Sequence, residues 1–203
     1  TTHQSSISFT NRSFGNFFRL QATYQHAILT NDQFFPHPDN FQRKFNNILP
    51  SIFGRVNLKD GASMFISYRG ETDEPSVSQL QNVLDRSNTL LWSLGNPELK
   101  QSYSHSLYAR YEKSNIDKNS SISNLIRFQS TQNYVTNEIT FASEDLVIEV
   151  GPDIELEVPR GTQISQPINL NGYISASNNT TLSKLIKPLK SNLSTTLGIN
   201  YRR

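Results

Sequence analysis

The stretch SYSHSLYARYE, residues 102–112, changes character at every step. Tyr103, Leu107, Ala109 and Tyr111 fall on one side of the alternation. Ser104, Ser106, Tyr108, Arg110 and Glu112 fall on the other. Successive side chains of an extended chain point to opposite faces, so this is a strand with one apolar and one polar side. The pattern recurs. Met64, Ile66 and Tyr68 oppose Ser63, Phe65, Ser67 and Arg69. Phe18, Leu20, Ala22, Tyr24 and Ile28 oppose Arg19, Gln21, Thr23 and Gln25. Ile48, Ile52, Val56 and Leu58 oppose Ser51, Arg55 and Asn57, and Leu193, Leu197, Ile199 and Tyr201 oppose Ser194, Thr196, Gly198, Asn200 and Arg202. The best helical stripe is short: Val77, Leu80, Val83 and Leu84 within Val77–Arg86. The sequence therefore predicts an all-β fold. Strands of about 9–11 residues suit a tilted membrane crossing better than the roughly 5–6 usual in soluble sheets. Alternation alone fits equally well a soluble sandwich or barrel with one wet face.

Connection lengths add direction. Lys59, Asp60 and Gly61 make a tight hairpin signal. The next connection, Glu71 to Gln101, is long, Ser114–Asn119 is short again, and the turn near Lys187 and Pro188 is short. Asn31–Lys44, with Pro36 and Pro38, is longer. Short turns at one end and long loops at the other are the habit of outer-membrane barrels. Composition agrees: hydrophobic residues make up 35% and charged residues 18% of the 203. Both are below the norm for a soluble domain and favour polar-faced strands over a thick core. A net charge of +2 with scattered Lys and Arg gives no nucleic-acid footprint. Without cysteine, disulfides and thiolate metal sites are excluded. No apolar run reaches the roughly 18 residues of a membrane helix, which leaves a barrel open. Thr1 does not begin a signal peptide, so the chain reads as mature or as an internal excerpt.

Catalytic signatures are missing. There is no G-x-S-x-G, P-loop or G-x-G-x-x-G. His3, His26, His37 and His105 each stand alone, without a partner at metal-ligand spacing. Glu144–Glu157, EDLVIEVGPDIELE, reads as an acidic hairpin turning at Gly151 and Pro152. Clustered carboxylates can bind Ca²⁺, but a solvated hairpin is the commoner role. The expectation is a non-enzyme without metal or cofactor.

The residues become specific in PSVSQLQNVLDRSNTLLWSLGNPELKQSYSHSLYARY, Pro75 to Tyr111. This stretch resembles part of the TonB-dependent-receptor-like outer-membrane β-barrel proteins of Gram-negative bacteria. Pro75, Ser76, Gln79, Leu80, Ser87, Asn88, Gly95, Asn96, Pro97, Leu99 and Lys100 match in order. Thr89 and Gln101 stand where that family often has Pro, which is expected to loosen the loop slightly. NNILPSIFGRVNLKDGASMFISYRG looks like the family's preceding strand–turn–strand. GTQISQPINLNGYISAS and LIKPLKSNLSTTLGINYRR look like its later elements. The resemblance covers most of Phe45–Arg203.

The resemblance implies a part of a barrel: one segment over residues 1–203 of roughly eight to ten antiparallel up-and-down strands, from a wall of about 22. It implies a long outward loop at about 71–101, the acidic hairpin at about 144–157, and a plug domain outside this chain. An isolated segment has uncovered sheet edges, so a different, compact packing is open to it. In a barrel, Leu107, Ala109 and Ile199 would face lipid, and Arg55, Arg110 and Asn200 the lumen. Tyr24, Tyr68, Tyr103, Tyr111 and Tyr201 would suit an interfacial girdle, and His105 would have to sit at the interface.

The implied function is TonB-dependent uptake of a nutrient ligand across the outer membrane, with lipid and a TonB-like energising protein as partners. Within the loop, Gln79, Asp85, Arg86 and Trp92 are the ligand-contact candidates, because outward loops meet cargo and an aromatic can anchor it. Against this, the Gln-Leu and Gly-Asn-Pro elements can simply pack the loop onto the rim. The rival reading is a soluble or surface-exposed binding module, an adhesin or carbohydrate-binding domain. Strand facing discriminates: converging apolar faces favour the module, outward ones the barrel.

Overall fold

The computed structural model describes residues 1–33, 39–149 and 155–203. The chain begins with β1 (Thr2–Ser13), β2 (Asn16–Gln33), β3 (Asp39–Asn57) and β4 (Ala62–Asp73). Helix α1 (Val77–Leu80), β5 (Leu84–Asp85) and β6 (Leu91–Leu94) follow. Then come β7 (Ser102–Asn115), β8 (Ser120–Gln132), β9 (Tyr134–Phe141), β10 (Leu146–Glu149), β11 (Glu155–Val158) and β12 (Gln163–Leu170). β13 (Tyr173–Ile186), a 3-10 turn at Lys187–Leu189 and β14 (Ser191–Arg202) complete it.

One eight-stranded sheet dominates, in the order β1-β2-β3-β4-β7-β8-β13-β14. Each strand pairs with the next long strand of the chain, antiparallel throughout. The expected up-and-down arrangement is therefore present, with a strand number inside the expected range. Short turns gather at one end: Phe14 and Gly15, Leu58 to Gly61, Ile116 to Asn119, and Lys187 to Lys190. Left-handed φ values at Phe14 and Gly15, 45° and 80°, and at Asp60 and Gly61, 57° and 68°, give these hairpins their tight reversal. The long connections all leave from the other end.

Register sorts the side chains cleanly. Phe9, Leu20, Ile52, Tyr68, Leu107, Phe128, Ala176 and Tyr201 form one cross-strand row from β1 to β14. The neighbouring row on the opposite face reads Ser8, Gln21, Ser51, Arg69, Ser106, Gln129, Ser175 and Arg202. Leu107, Ala109 and Ile199 share the apolar face; Arg55, Arg110 and Asn200 share the polar one. All five girdle tyrosines lie on the apolar face. Among the described residues no second layer covers that face: Ile7 is 76% exposed, Ile199 74% and Leu197 65%. The only buried apolar residues of the long sheet among those described are Ala27 and Ala62. Apolar faces that converged on an interior would bury their large side chains, so the strand-facing test favours the barrel.

The apolar face carries a polar knot in mid-sheet. Asn124 donates to Asn178 at 3.3 Å and to Thr180 at 2.7 Å, so these groups satisfy one another.

A joint near the loop end follows from Pro50. The β3–β4 ladder stops at Ser51 opposite Arg69, since Pro50 has no N–H to offer β4. The Tyr103 hydroxyl crosses the gap and donates to the Ile48 carbonyl at 2.7 Å. Gly70 makes room, because a Cβ there would lie 2.6 Å from the Tyr103 hydroxyl and 2.9 Å from Pro50 Cδ.

The long connections fold into a cap of their own. β8 and β13 continue as β9 and β12 beyond Asn133 and Gly172, both at positive φ. β12 then runs parallel to β6, which pairs with β5, giving the order β5-β6-β12-β9. Trp92, Ala142, Val158 and Ile164 form its buried core, with Leu84, Leu94, Leu146 and Ile148 packed around. The helical stripe expected over Val77–Arg86 is realised for only four residues, because Gln81 turns extended and Leu84 and Asp85 pair with Leu94 and Ser93. The acidic segment forms the antiparallel pair β10–β11, with Leu146 opposite Val158 and Ile148 opposite Leu156. Its expected turn at Gly151 and Pro152 lies outside the described residues.

Candidate functional site on the polar face

Alternation places every arginine of the paired rows of the long sheet on one face: Arg12, Arg19, Arg43, Arg55, Arg69, Arg110, Arg127 and Arg202. Two have carboxylate partners among the described residues: Arg69 Nε lies 2.8 Å from Glu71, and Arg110 pairs with Glu112. Others lean on rings. Phe17, Phe53, Phe65 and Tyr108 make a chain of edge-to-face contacts across four strands, with centroids 5.5, 4.9 and 5.6 Å apart. Arg12 and Arg19 lie over Phe17 at 5.3 and 5.4 Å, and Arg127 over Tyr108 at 5.6 Å. The rings hold the guanidinium groups by their π faces while leaving N–H donors free for a ligand.

Three depressions line up along this face. The first, about 490 Å³, opens between the β2–β3 hairpin and β4 and is lined by Gln25, Arg69, Glu71 and Ser104. The second, about 270 Å³, shares Arg69 and adds Tyr108, Arg127 and Ser177. The third, about 260 Å³, shares Tyr108 and adds Arg55, Arg110 and Glu112. Together they form a polar, cationic track from the loop end toward the turn end.

At the loop end the chain is tied down by amides. The Gln101 side chain donates to Glu74 at 2.7 Å and accepts from Asn47 at 2.9 Å. Gln25, buried, donates to Glu74 at 3.4 Å and accepts from Thr72 at 2.9 Å. Gln101 therefore anchors the loop through its side chain, where a looser joint is expected from the loss of Pro. The Gly-Asn-Pro element does the rest. Gly95 sits so close to α1 that a Cβ would lie 1.9 Å from the Gln81 carbonyl. The Asn96 amide N–H donates to the Gln79 carbonyl at 2.6 Å, and its side chain donates to the Pro167 carbonyl at 2.9 Å. Asn169 accepts from the Lys100 amide at 2.7 Å and donates to the Lys100 and Asn133 carbonyls at 3.0 and 2.8 Å. Arg43 reaches across to the Pro97 carbonyl.

The four loop candidates separate. Gln79 closes a capping box, its side chain accepting from the Ser76 amide at 2.9 Å. Trp92 is buried in the cap core. Arg86 is exposed, with its guanidinium 5.8 Å from the Trp92 ring centre. Asp85 is exposed too and accepts from the Ser87 amide at 2.9 Å. Hydrogen bonds from the Ser87 amide and then its hydroxyl hold its carboxyl below the ordinary range. The fold thus brings Asp85 and Arg86 to the cap surface and engages Gln79 and Trp92 in its structure. The arginine track was not among the expected contact sites. Its signal was present in the sequence, because every one of those arginines falls on the polar phase of its strand.

His105 lies on the apolar face near the loop end, where its Nδ1 is 2.8 Å from the Tyr68 hydroxyl and its ring 4.9 Å from that of Tyr103. A hydrogen-bonded aromatic cluster of this kind meets the requirement for an interfacial histidine. Among the described residues no group of three or more His, Cys, Asp or Glu could hold a metal ion.

A single antiparallel meander with one uncovered apolar face, one arginine-rich face and all its long connections at one end defines a membrane β-barrel wall. The model of the outer membrane protein beta-barrel family matches residues 18–203, and the chain belongs to that family. Among solved structures, a mutant of the ferric enterobactin receptor of Pseudomonas aeruginosa, in complex with enterobactin, is similar in fold. Its TM-score is 0.51 at 12% sequence identity, over 100% of this chain and 35% of that one. The chain thus spans about a third of the receptor it matches. A search of curated protein sequences finds no significant match.

Proposed function

We propose that this chain is a sector of the wall, with part of the outward cap, of a receptor-transporter in the outer membrane of a Gram-negative bacterium. It takes up a nutrient ligand and is energised through a TonB-like protein. The plug and the TonB-contacting box belong to parts outside this chain. The observation that carries the reading is the division of one sheet into an apolar face and a cationic track that begins under the cap. A wall must be greasy toward lipid and wet toward its lumen. Eight arginines make this sector of the lumen electropositive, which favours an anionic ligand through steering and charge-assisted hydrogen bonds. Arg86 and Asp85 on the cap are the first contacts, and the track receives what the cap admits.

Uptake by cells carrying the full-length protein tests this. Accumulation of a limiting nutrient is expected to need both the protein and an energised TonB-like partner. Arg69→Gln together with Arg127→Gln is expected to lower the uptake rate with the protein level unchanged. Uptake indifferent to the energising partner would remove the TonB-dependent reading.

A further inference from the structure

Lysine and arginine part company in the long sheet. Its strand lysines near the turn end, Lys113 of β7 and Lys184 of β13, lie on the apolar face, opposite in phase to the arginines. They flank β8, where Lys113 pairs with Ile122 and Lys184 with Ser120. Two strand spacings and a two-residue offset along β8 separate their backbones, about 12 Å in all. Both four-carbon stems can bring their ammonium groups to one point between them.

Between the two lysines runs a groove of about 510 Å³. Its turn-end part is lined by Asn115 and Ser120, and its inner part by Ile122, Leu182 and Leu193. Farther from the turns the same face continues through Leu197 and Ile199, both widely exposed. No carboxylate lines the groove. The site thus has two cations and hydrogen-bonding side chains at the turn end, and an apolar strip leading toward mid-membrane.

We propose that this groove is a binding site for one anionic phospholipid of the leaflet that meets the short turns. The phosphate sits between Lys113 and Lys184, with Asn115 and Ser120 as hydrogen-bond partners. An acyl chain lies along Ile122, Leu182 and Leu193. Charge chooses the occupant: a lipid-facing groove with two ammonium groups and no acid selects a phosphate-bearing lipid of net negative charge over a zwitterionic one. The proposal rests on the barrel fold and not on the uptake reading, so either can fail alone.

The test is native mass spectrometry of the full-length protein released from bilayers of equal phosphatidylglycerol and phosphatidylcholine. Retention of one phosphatidylglycerol in preference to phosphatidylcholine is expected, and equal retention of both would overturn the site without any substitution. Lys113→Gln or Lys184→Gln is expected to lower phosphatidylglycerol occupancy about 5-fold each, and the pair about 25-fold. Lys113→Arg with Lys184→Arg is expected to retain it. Lys44→Gln, on the same face at the opposite end of the sheet, is expected to change nothing. Unchanged retention in the double Gln variant contradicts the proposal. So does displacement of the lipid by soluble glycerol phosphate, because a simple anion site needs no acyl groove.

Discussion

The long sheet and the cap solve the same problem in opposite ways. The cap hides its apolar side chains inside itself: Trp92, Ala142, Val158 and Ile164 are buried although the unit is small. The sheet does the reverse, leaving Ile7, Leu197 and Ile199 bare and turning its arginines to the other side. A cap folds against water and gains from burying each large side chain about 1.5–3 kcal/mol. The sheet gains the same from lipid, so its stability belongs to the membrane and the cap's does not. Hydrophobicity alone fails to distinguish them; what an apolar face meets does.

That contrast can be broken most severely at Trp92. Trp92→Ala is expected to cost the cap about 3–5 kcal/mol, seen as proteolytic nicking of residues 74–101 while the barrel of the full-length protein keeps its heat-modifiable migration. Loss of both together would mean that cap and sheet fold as one unit. Leu107→Arg, on the apolar face, is expected to destabilise the membrane-folded protein by about 2–4 kcal/mol, whereas Ser106→Arg one residue away changes it little. Equal effects in a urea titration from bilayers would erase the distinction between the faces. Gly95→Ala forces a Cβ against the Gln81 carbonyl, and a cost of about 1–3 kcal/mol confined to the cap is expected by the same proteolysis.

The smallest effect concerns pH. Asp85 is held below its ordinary value of 3.8 by the Ser87 amide and then its hydroxyl. A carboxylate depressed in the folded state contributes its stability above the ordinary value and loses it as the pH falls through the folded one. Hydrogen exchange at the Ser87 amide is therefore expected to quicken in acid, relative to neighbouring amides, and Asp85→Asn to abolish that dependence.

Sheet and cap were also unequally legible in the sequence. In the sheet, the period of two and the spacing of Gly61, Asn119 and Pro188 carry strand, face and turn at short range. The cap depends on partners far apart. Asn96 finds Pro167, Lys100 finds Asn169, and Trp92 lies beside Ile164 in a parallel pairing. Nothing local announces such a pairing, so the sequence offers Trp92 as a ligand-contact candidate without showing that it also packs in the cap core. Val77–Arg86 read as a longer helix for the same reason: Leu84 faces the apolar stripe in either conformation, and β6 decides between them. The arginine track was legible residue by residue but needed the register to join it into one surface.

The most direct measurement uses the absence of cysteine. Single substitutions along β7 in the full-length protein, among them Ser106→Cys, Leu107→Cys, Tyr108→Cys, Ala109→Cys and Arg110→Cys, would carry a nitroxide label in liposomes. Oxygen, which concentrates in lipid, is expected to relax the labels at residues 107 and 109. A water-soluble nickel chelate is expected to relax those at 106, 108 and 110. Accessibility without that alternation, or with its phase reversed, would contradict a sheet whose apolar face meets the membrane.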